Sequence, residues 1–320
     1  INELNDRIVF NIKLGSRSVV ACVGEKVFGV PLTDSIRPGE TIPAIMEELI
    51  SSLESYTDTE GIFRLSASSF EKNQMVTWWN GGYHVDMSEA NPHLSATLIK
   101  NYFGDLPDPL MPYKSYNDFI AIGKASIDIV HRIEELRKII KILPQPNINL
   151  LKRFLPLLSK IVDNRKTSLM DYRNLATCFA PTLFRQPEDT TEYPIELFIK
   201  LTKKIFKYYK AIFSQNSAEM LTCMAETLVN EHCPKEELKK DQRRLWLVCV
   251  RNLNDPTSSF VTNDGTSGSF SKVLFQSELI NYSIQSAILC YPNEDSLSIF
   301  EQILSLLSDV PITTTINLIE

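Results

Sequence analysis

From about residue 41 to about 213, apolar residues recur at three- and four-residue intervals in short runs, each bounded by a start signal and a stop. Only a helix of 3.6 residues per turn gathers such positions on one face, so this stretch folds as helix packed on helix. The first run starts at Thr41 with Pro43 in its opening turn and carries Ile42, Ile45, Met46, Leu49, Ile50 and Leu53. The second follows Ser68 and Glu71 at capping-box spacing, presents Met75, Trp78 and Trp79 together, and halts at Asn80-Gly81-Gly82. The third opens at Asn91-Pro92, aligns Leu94, Leu98 and Tyr102, and meets Gly104. Pro107, Pro109 and Pro112 then fall within six residues, which stiffens an extended connection that no helix can cross.

Further stripes follow at Ile127, Val130, Ile133 and Ile140, and at Leu150, Leu151, Phe154, Leu157, Leu158 and Ile161, with Pro144 and Pro146 between them. A shorter helix is expected from a Ser168–Asp171 capping pair through Leu175 and Phe179, ending before Pro181. The last begins near Pro194 and carries Leu197, Leu201, Ile205 and Ile212. The expected fold is all-α, a bundle of about seven or eight helices in the size range of one domain.

Residues 214 to 320 differ in charge, with 7 basic and 14 acidic residues, while the first 213 are near neutral. Helices are expected at about 217–232, 234–251, 273–289 and 295–307. Asn254 to Ser271, rich in serine, threonine, glycine and asparagine, reads as a loop or disordered connection. The expectation is therefore an N-terminal extension (1–26), a helical domain (27–213) and a C-terminal, mainly helical appendage (214–320).

A net charge of -6 and a pI near 5.4 argue against a broad nucleic-acid footprint. The six cysteines are scattered, with no Cys-x-x-Cys pair, and read as reduced thiols of a cytoplasmic protein. No run of about 18 apolar residues marks a membrane span. Ile1 in place of methionine reads as the edge of a longer chain, whose flanks would carry any membrane recruitment. Cys223, His232, Cys233 and Cys249 fit no zinc-ligand spacing, and Gly265-Thr266-Ser267-Gly268 lacks the lysine of a phosphate loop.

The most suggestive segment is Thr59-Glu60-Gly61-Ile62-Phe63-Arg64-Leu65-Ser66, between the first two helices. Large apolar residues flank Arg64 and can anchor the segment, while Gly61 relaxes the backbone ahead of them. Spacing alone leaves open whether Arg64 is an ordinary solvated side chain or a positioned one.

Phe28-Gly29-Val30-Pro31-Leu32, Thr59 to Ser66, Leu98 to Leu110, Leu143-Pro144-Gln145-Pro146-Asn147 and Asn174 to Leu183 follow one another in an order and spacing that closely resemble the RhoGAP domain. The resemblance covers about 27 to 213 and implies a RhoGAP-like bundle that stimulates GTP hydrolysis by small GTPases of the Rho and Rac type. It places Arg64 at the family's catalytic arginine, inserted in trans into the GTPase site, with no substrate turnover of its own. Lys100, on the helix of Leu94, Leu98 and Tyr102, is expected on its wet side, to support the arginine segment or touch the GTPase. Asn174 and Arg185 complete the implied GTPase-binding set. The implied partner is the GTP-bound GTPase, which brings the nucleotide and magnesium, so no cofactor or metal of the chain's own is expected. Gly104 stands where the family usually has an arginine. That departure supports a second expectation, a catalytically weak module that binds GTPases as effector or scaffold.

Overall fold

Proline, asparagine and aspartate set most of the helix starts in the computed structural model, which describes residues 26–87 and 90–217, the strand residues 11–14, 17–21, 259–261 and 267–269, and isolated positions from 219 to 227. Helix α1 (Ala44–Leu53) begins one residue after Pro43, so Thr41 and Ile42 precede it rather than belong to it. Helix α2 (Ser69–Asn80) follows Ser68, but the Ser68 hydroxyl makes no capping bond and the expected box does not close. Only its carbonyl engages the helix, accepting from Lys72 N at 3.0 Å. Helix α3 (Pro92–Asp105) is capped by the Asn91 side chain, which accepts from His93 N at 2.9 Å, with proline in the first turn where a missing N–H costs nothing.

The Pro107–Pro112 connection is held in place by buried Asn147, whose Nδ2 donates to Leu110 O at 2.9 Å. After it comes helix α4 (Tyr116–Lys124), absent from the sequence reading because its nine residues bury only Tyr116, Phe119 and Ile122, too few to show a period. Then follow α5 (Ile129–Lys141), α6 (Gln145–Asp163), the single turn α7 (Arg165–Ser168), α8 (Tyr172–Leu183), α9 (Ile195–Lys207) and the single turn α10 (Tyr209–Ile212). Two expectations about α8 are corrected. Asp171 alone caps it, accepting from Asn174 N, while the Ser168 hydroxyl turns to Ile161 O. The helix also runs through Pro181 for two more residues, because a proline in the last turn removes a single bond and Phe184 N still reaches Ala180 O at 2.9 Å. Ile212, expected on the helix of Leu201, lies on α10 instead.

The chain divides into two compact units, one of Ile1–Ala125 with Lys138–Lys207, the other of Ser126–Arg137 with Tyr208–Glu320. In the first unit the core is aromatic. Phe63, Phe103, Phe154, Phe179 and Phe206 are at most 1% exposed and meet edge to face, with ring centroids such as Phe63–Phe179 at 4.9 Å and Phe154–Phe179 at 5.1 Å. Each such pair adds about 0.5–1.5 kcal/mol beyond simple burial. A second group stacks Phe184 on Phe198 at 4.7 Å, with Phe119 edge-on. On the surface, Arg153 of α6 grips Glu47 of α1 through Nε and Nη2, and Glu54 through Nη1. A small antiparallel sheet joins the bundle, in the order β1 (Asn11–Leu14), β2 (Arg17–Ala21) and β3 (Tyr83–Val85).

In the second unit Arg137 donates from Nε and Nη2 to Ser214 O at 3.3 and 3.2 Å. Antiparallel strands β4 (Ser259–Val261) and β5 (Ser267–Ser269) occupy part of the stretch expected to be a loop or disordered connection. Isolated residues through Thr227 are helical, in line with the helix expected at 217–232. The helices expected at 234–251, 273–289 and 295–307 lie outside the described residues.

Candidate functional site

Gly61 and Phe63 both have φ near +66°, which folds the chain into a sharp bend immediately ahead of Arg64. For glycine this region is free of strain, but for a residue with a Cβ it costs roughly 1–2 kcal/mol. Such strain persists only where the surroundings over-determine it. Here Ile62 and Phe63 are fully buried, and the Phe63 ring is wedged against Phe154 and Phe179. The backbone is pinned as well: Arg64 N and Leu65 N both donate to Gly61 O at 2.8 Å, and Gly61 N donates to Ser168 O at 2.8 Å.

With its two predecessors buried, Arg64 emerges exposed. Among the described residues its guanidinium has no hydrogen-bond or ion-pair partner. Leu65 and Leu169, 49% and 48% exposed, follow Arg64 and Ser168 in the two backbone segments joined by the Gly61–Ser168 bond.

Lys100 is half-buried rather than on the wet side of α3, and its Nζ donates to Phe63 O at 2.6 Å. A flexible lysine stem can reach back along its helix, and here the charge caps the strained residue before Arg64. Asn174, in the first turn of α8, donates from Nδ2 to Leu169 O at 3.1 Å. Leu169 itself is left-handed, with φ +56°, so the amide braces the α7–α8 turn. Cys178 of α8 senses both cations: burial pushes its thiol pKa up, while the charges of Lys100 and Arg64 pull it down. The charges of Arg64 and Lys100 thus both reach Cys178 on α8.

Arg185 is engaged elsewhere. Its Nη1 donates to Gly104 O at 2.9 Å, its Nη2 to Leu106 O and Pro107 O, and its guanidinium lies over the Tyr113 ring. It neutralises the carbonyl end of α3, where a cation is favourable. Gly104 lies within that last turn, and a Cβ there would meet only Thr182 Cγ2 at an ordinary 3.7 Å. The contribution of Ser168 was invisible in the sequence, where it reads as a helix cap. No group of three or more His, Cys, Asp or Glu side chains that could hold a metal occurs among the described residues, and no helix there is long and apolar enough to cross a membrane.

Comparison with known proteins agrees with this architecture. The RhoGAP domain family model matches residues 43–188. The chain is 30% identical over 229 residues to Rho GTPase-activating protein gacJJ of Dictyostelium discoideum, an alignment covering 68% of this chain and 26% of the relative. It is 32% identical over 204 residues to Rho GTPase-activating protein 19 of Xenopus laevis, covering 57% and 39%. With Rho GTPase-activating protein 35 of Canis lupus familiaris, 32% identity extends over 52% of this chain and 11% of the relative. The chain thus spans well under half the length of these relatives. Among solved structures, human Rho GTPase activating protein 15 superposes with a TM-score of 0.56 at 26% identity, over 59% of this chain and 93% of that one. The near-complete coverage of that structure agrees with the family match, and residues 43–188 form a RhoGAP domain.

Proposed function

We propose that this protein stimulates GTP hydrolysis by Rho- and Rac-type small GTPases, with Arg64 inserted as an arginine finger into the site of the GTP-bound partner. The observation that carries the reading is the exposed, unpaired guanidinium of Arg64 on a bend whose neighbouring residues are immobilised by burial and three hydrogen bonds.

Phosphoryl transfer spreads negative charge over the oxygens around the β- and γ-phosphates, and a guanidinium brought in from outside neutralises it where water is excluded. An arginine delivered in this way raises the rate by about 10³ to 10⁵, or roughly 4–7 kcal/mol of barrier. A preset bend matters because ordering a long side chain and its backbone during association would subtract from that gain. Lysine would serve poorly at position 64, since only the planar fork can donate to a phosphate oxygen and a carbonyl together. In this reading Lys100 and Asn174 brace the segment in the unbound protein and line the face the GTPase approaches. Arg185 shapes the same domain from the end of α3. The nucleotide and magnesium come with the GTPase.

A second reading is a GTPase-binding module with weak catalysis. Gly104 supports it, as does the engagement of Lys100, Asn174 and Arg185 with the protein's own carbonyls. Single-turnover GTP hydrolysis by Rho-like and Rac-like GTPases separates the two, using wild type, Arg64→Ala and Gly104→Arg. The first reading expects strong stimulation lost by a factor of about 10³ or more in Arg64→Ala. Equal stimulation by wild type and Arg64→Ala would overturn it. GTPase binding without stimulation, restored by Gly104→Arg, would establish the second.

A further inference from the structure

Ser168 is fully buried, and each of its polar groups is paired. Its N–H donates to Asn164 O at 2.9 Å, its hydroxyl donates to Ile161 O at 3.1 Å and accepts from Met170 N at 3.3 Å, and its carbonyl accepts from Gly61 N at 2.8 Å. The hydroxyl therefore ties the end of α6 to the residue that opens the approach to α8. It does so across Leu169, whose left-handed backbone reverses the chain between those two bonds. A carbonyl clamped on both sides in this way has one available direction, and Gly61 is its only described backbone donor.

On the far side of that bond lies the bend that presents Arg64. Among the described residues, Gly61 to Arg64 make two hydrogen bonds to the rest of the domain, from Gly61 N to the Ser168 carbonyl and from the Lys100 ammonium to Phe63 O. Lys100 hangs on a flexible stem and can follow the bend if it shifts. The Ser168 carbonyl is backbone, fixed by a buried hydroxyl, and cannot.

We propose that Ser168 is a positioning residue for Arg64, its hydroxyl fixing the α7–α8 turn on which the Gly61 amide sits and thereby setting where the guanidinium enters the GTPase. The inference rests on the reading of Arg64 as the catalytic group. Loss of the hydroxyl frees Met170 N and lets the turn drift, while the surface that meets the GTPase keeps its side chains. The effect then falls on the rate within the complex rather than on its formation, because a small misplacement of a reacting group is costly even when its cause lies away from the chemistry, while the contacts that form the complex are kept.

The experiment is single-turnover GTP hydrolysis across a concentration series of the full chain, with Ser168→Ala and the near-isosteric Ser168→Cys, each in the Arg64 and the Arg64→Ala background. Thermal melts establish that each variant is folded at the assay temperature. The expected result is a saturating rate lowered by roughly tenfold or more, with the half-saturating concentration changed less than about twofold. In the Arg64→Ala background the serine variants should have no further effect, since they act through that side chain. A folded Ser168 variant with the wild-type saturating rate overturns the proposal. So does an equal loss in both backgrounds, which would mean general loosening. Should Arg64→Ala itself be silent, the reading of Arg64 fails first, a result distinct from either.

Discussion

Replacing Gly61 by alanine tests whether the bend before Arg64 is set by backbone geometry. At φ +66° an added Cβ costs about 1–2 kcal/mol from the left-handed conformation alone. It would also stand 2.8 and 2.9 Å from Cγ and Cδ1 of Leu65, too close to coexist. Leu65 is half-exposed and can rotate outward, at a cost of about 0.5–1.5 kcal/mol for a poorer rotamer. The sum is about 1.5–3.5 kcal/mol, which lowers the melting temperature of a domain this size by about 3–14 °C. Gly39 supplies the control, with φ +88° and nothing within 4 Å of an added Cβ, so Gly39→Ala carries only the backbone cost, about 2–8 °C. The new methyl would meet Arg64 Nη2 only at an ordinary 3.5 Å, but it displaces Leu65, the residue next to Arg64, so GTPase stimulation should fall in this variant and persist in Gly39→Ala. Differential scanning calorimetry and the single-turnover assay read both effects. A Gly61→Ala protein that melts no lower than Gly39→Ala and stimulates at the wild-type rate would refute the account of the bend.

Glu47 has its pKa lowered chiefly by the Arg153 hydrogen bond. Since its folded pKa lies below the ordinary 4.5, the stabilisation is present above that pH and is lost as pH falls through the folded value. Arg153→Met should therefore flatten the acid limb of the stability profile, measured by urea unfolding from pH 6 to about 3, by no more than about 1 kcal/mol because the pair is partly exposed and screened. Asn147→Ala should cost about 1–3 kcal/mol in the same unfolding assay at neutral pH, since it strips the buried Leu110 carbonyl of its donor and releases the proline-rich connection. An unchanged midpoint in that variant would show that the prolines hold the connection unaided.

Helical character from residue 41 to 213 was legible because amphipathic periodicity is a local property: α3, α6 and α9 carry enough inward positions to declare themselves. Helix α4 was not, since three buried residues in nine make no period until α9 and the proline connection surround them. Arg64 could be marked as a candidate from its apolar flanks, and family resemblance gave it a role. Its exposure beside a buried, left-handed Phe63 could not be read, because that conformation is imposed by Phe154 and Phe179, each far away in the chain.

Lys100, Asn174 and Ser168 show the same division. The sequence determined that a lysine, an asparagine and a serine would lie on or beside helices. Only the tertiary structure decided what they bond to: Lys100 reaches Phe63 O, Asn174 holds Leu169 O, and Ser168 receives Gly61 from more than a hundred residues upstream. Helix formation depends on neighbours three and four residues apart, whereas the placement of a catalytic cation depends on backbone groups brought together when the aromatic core closes.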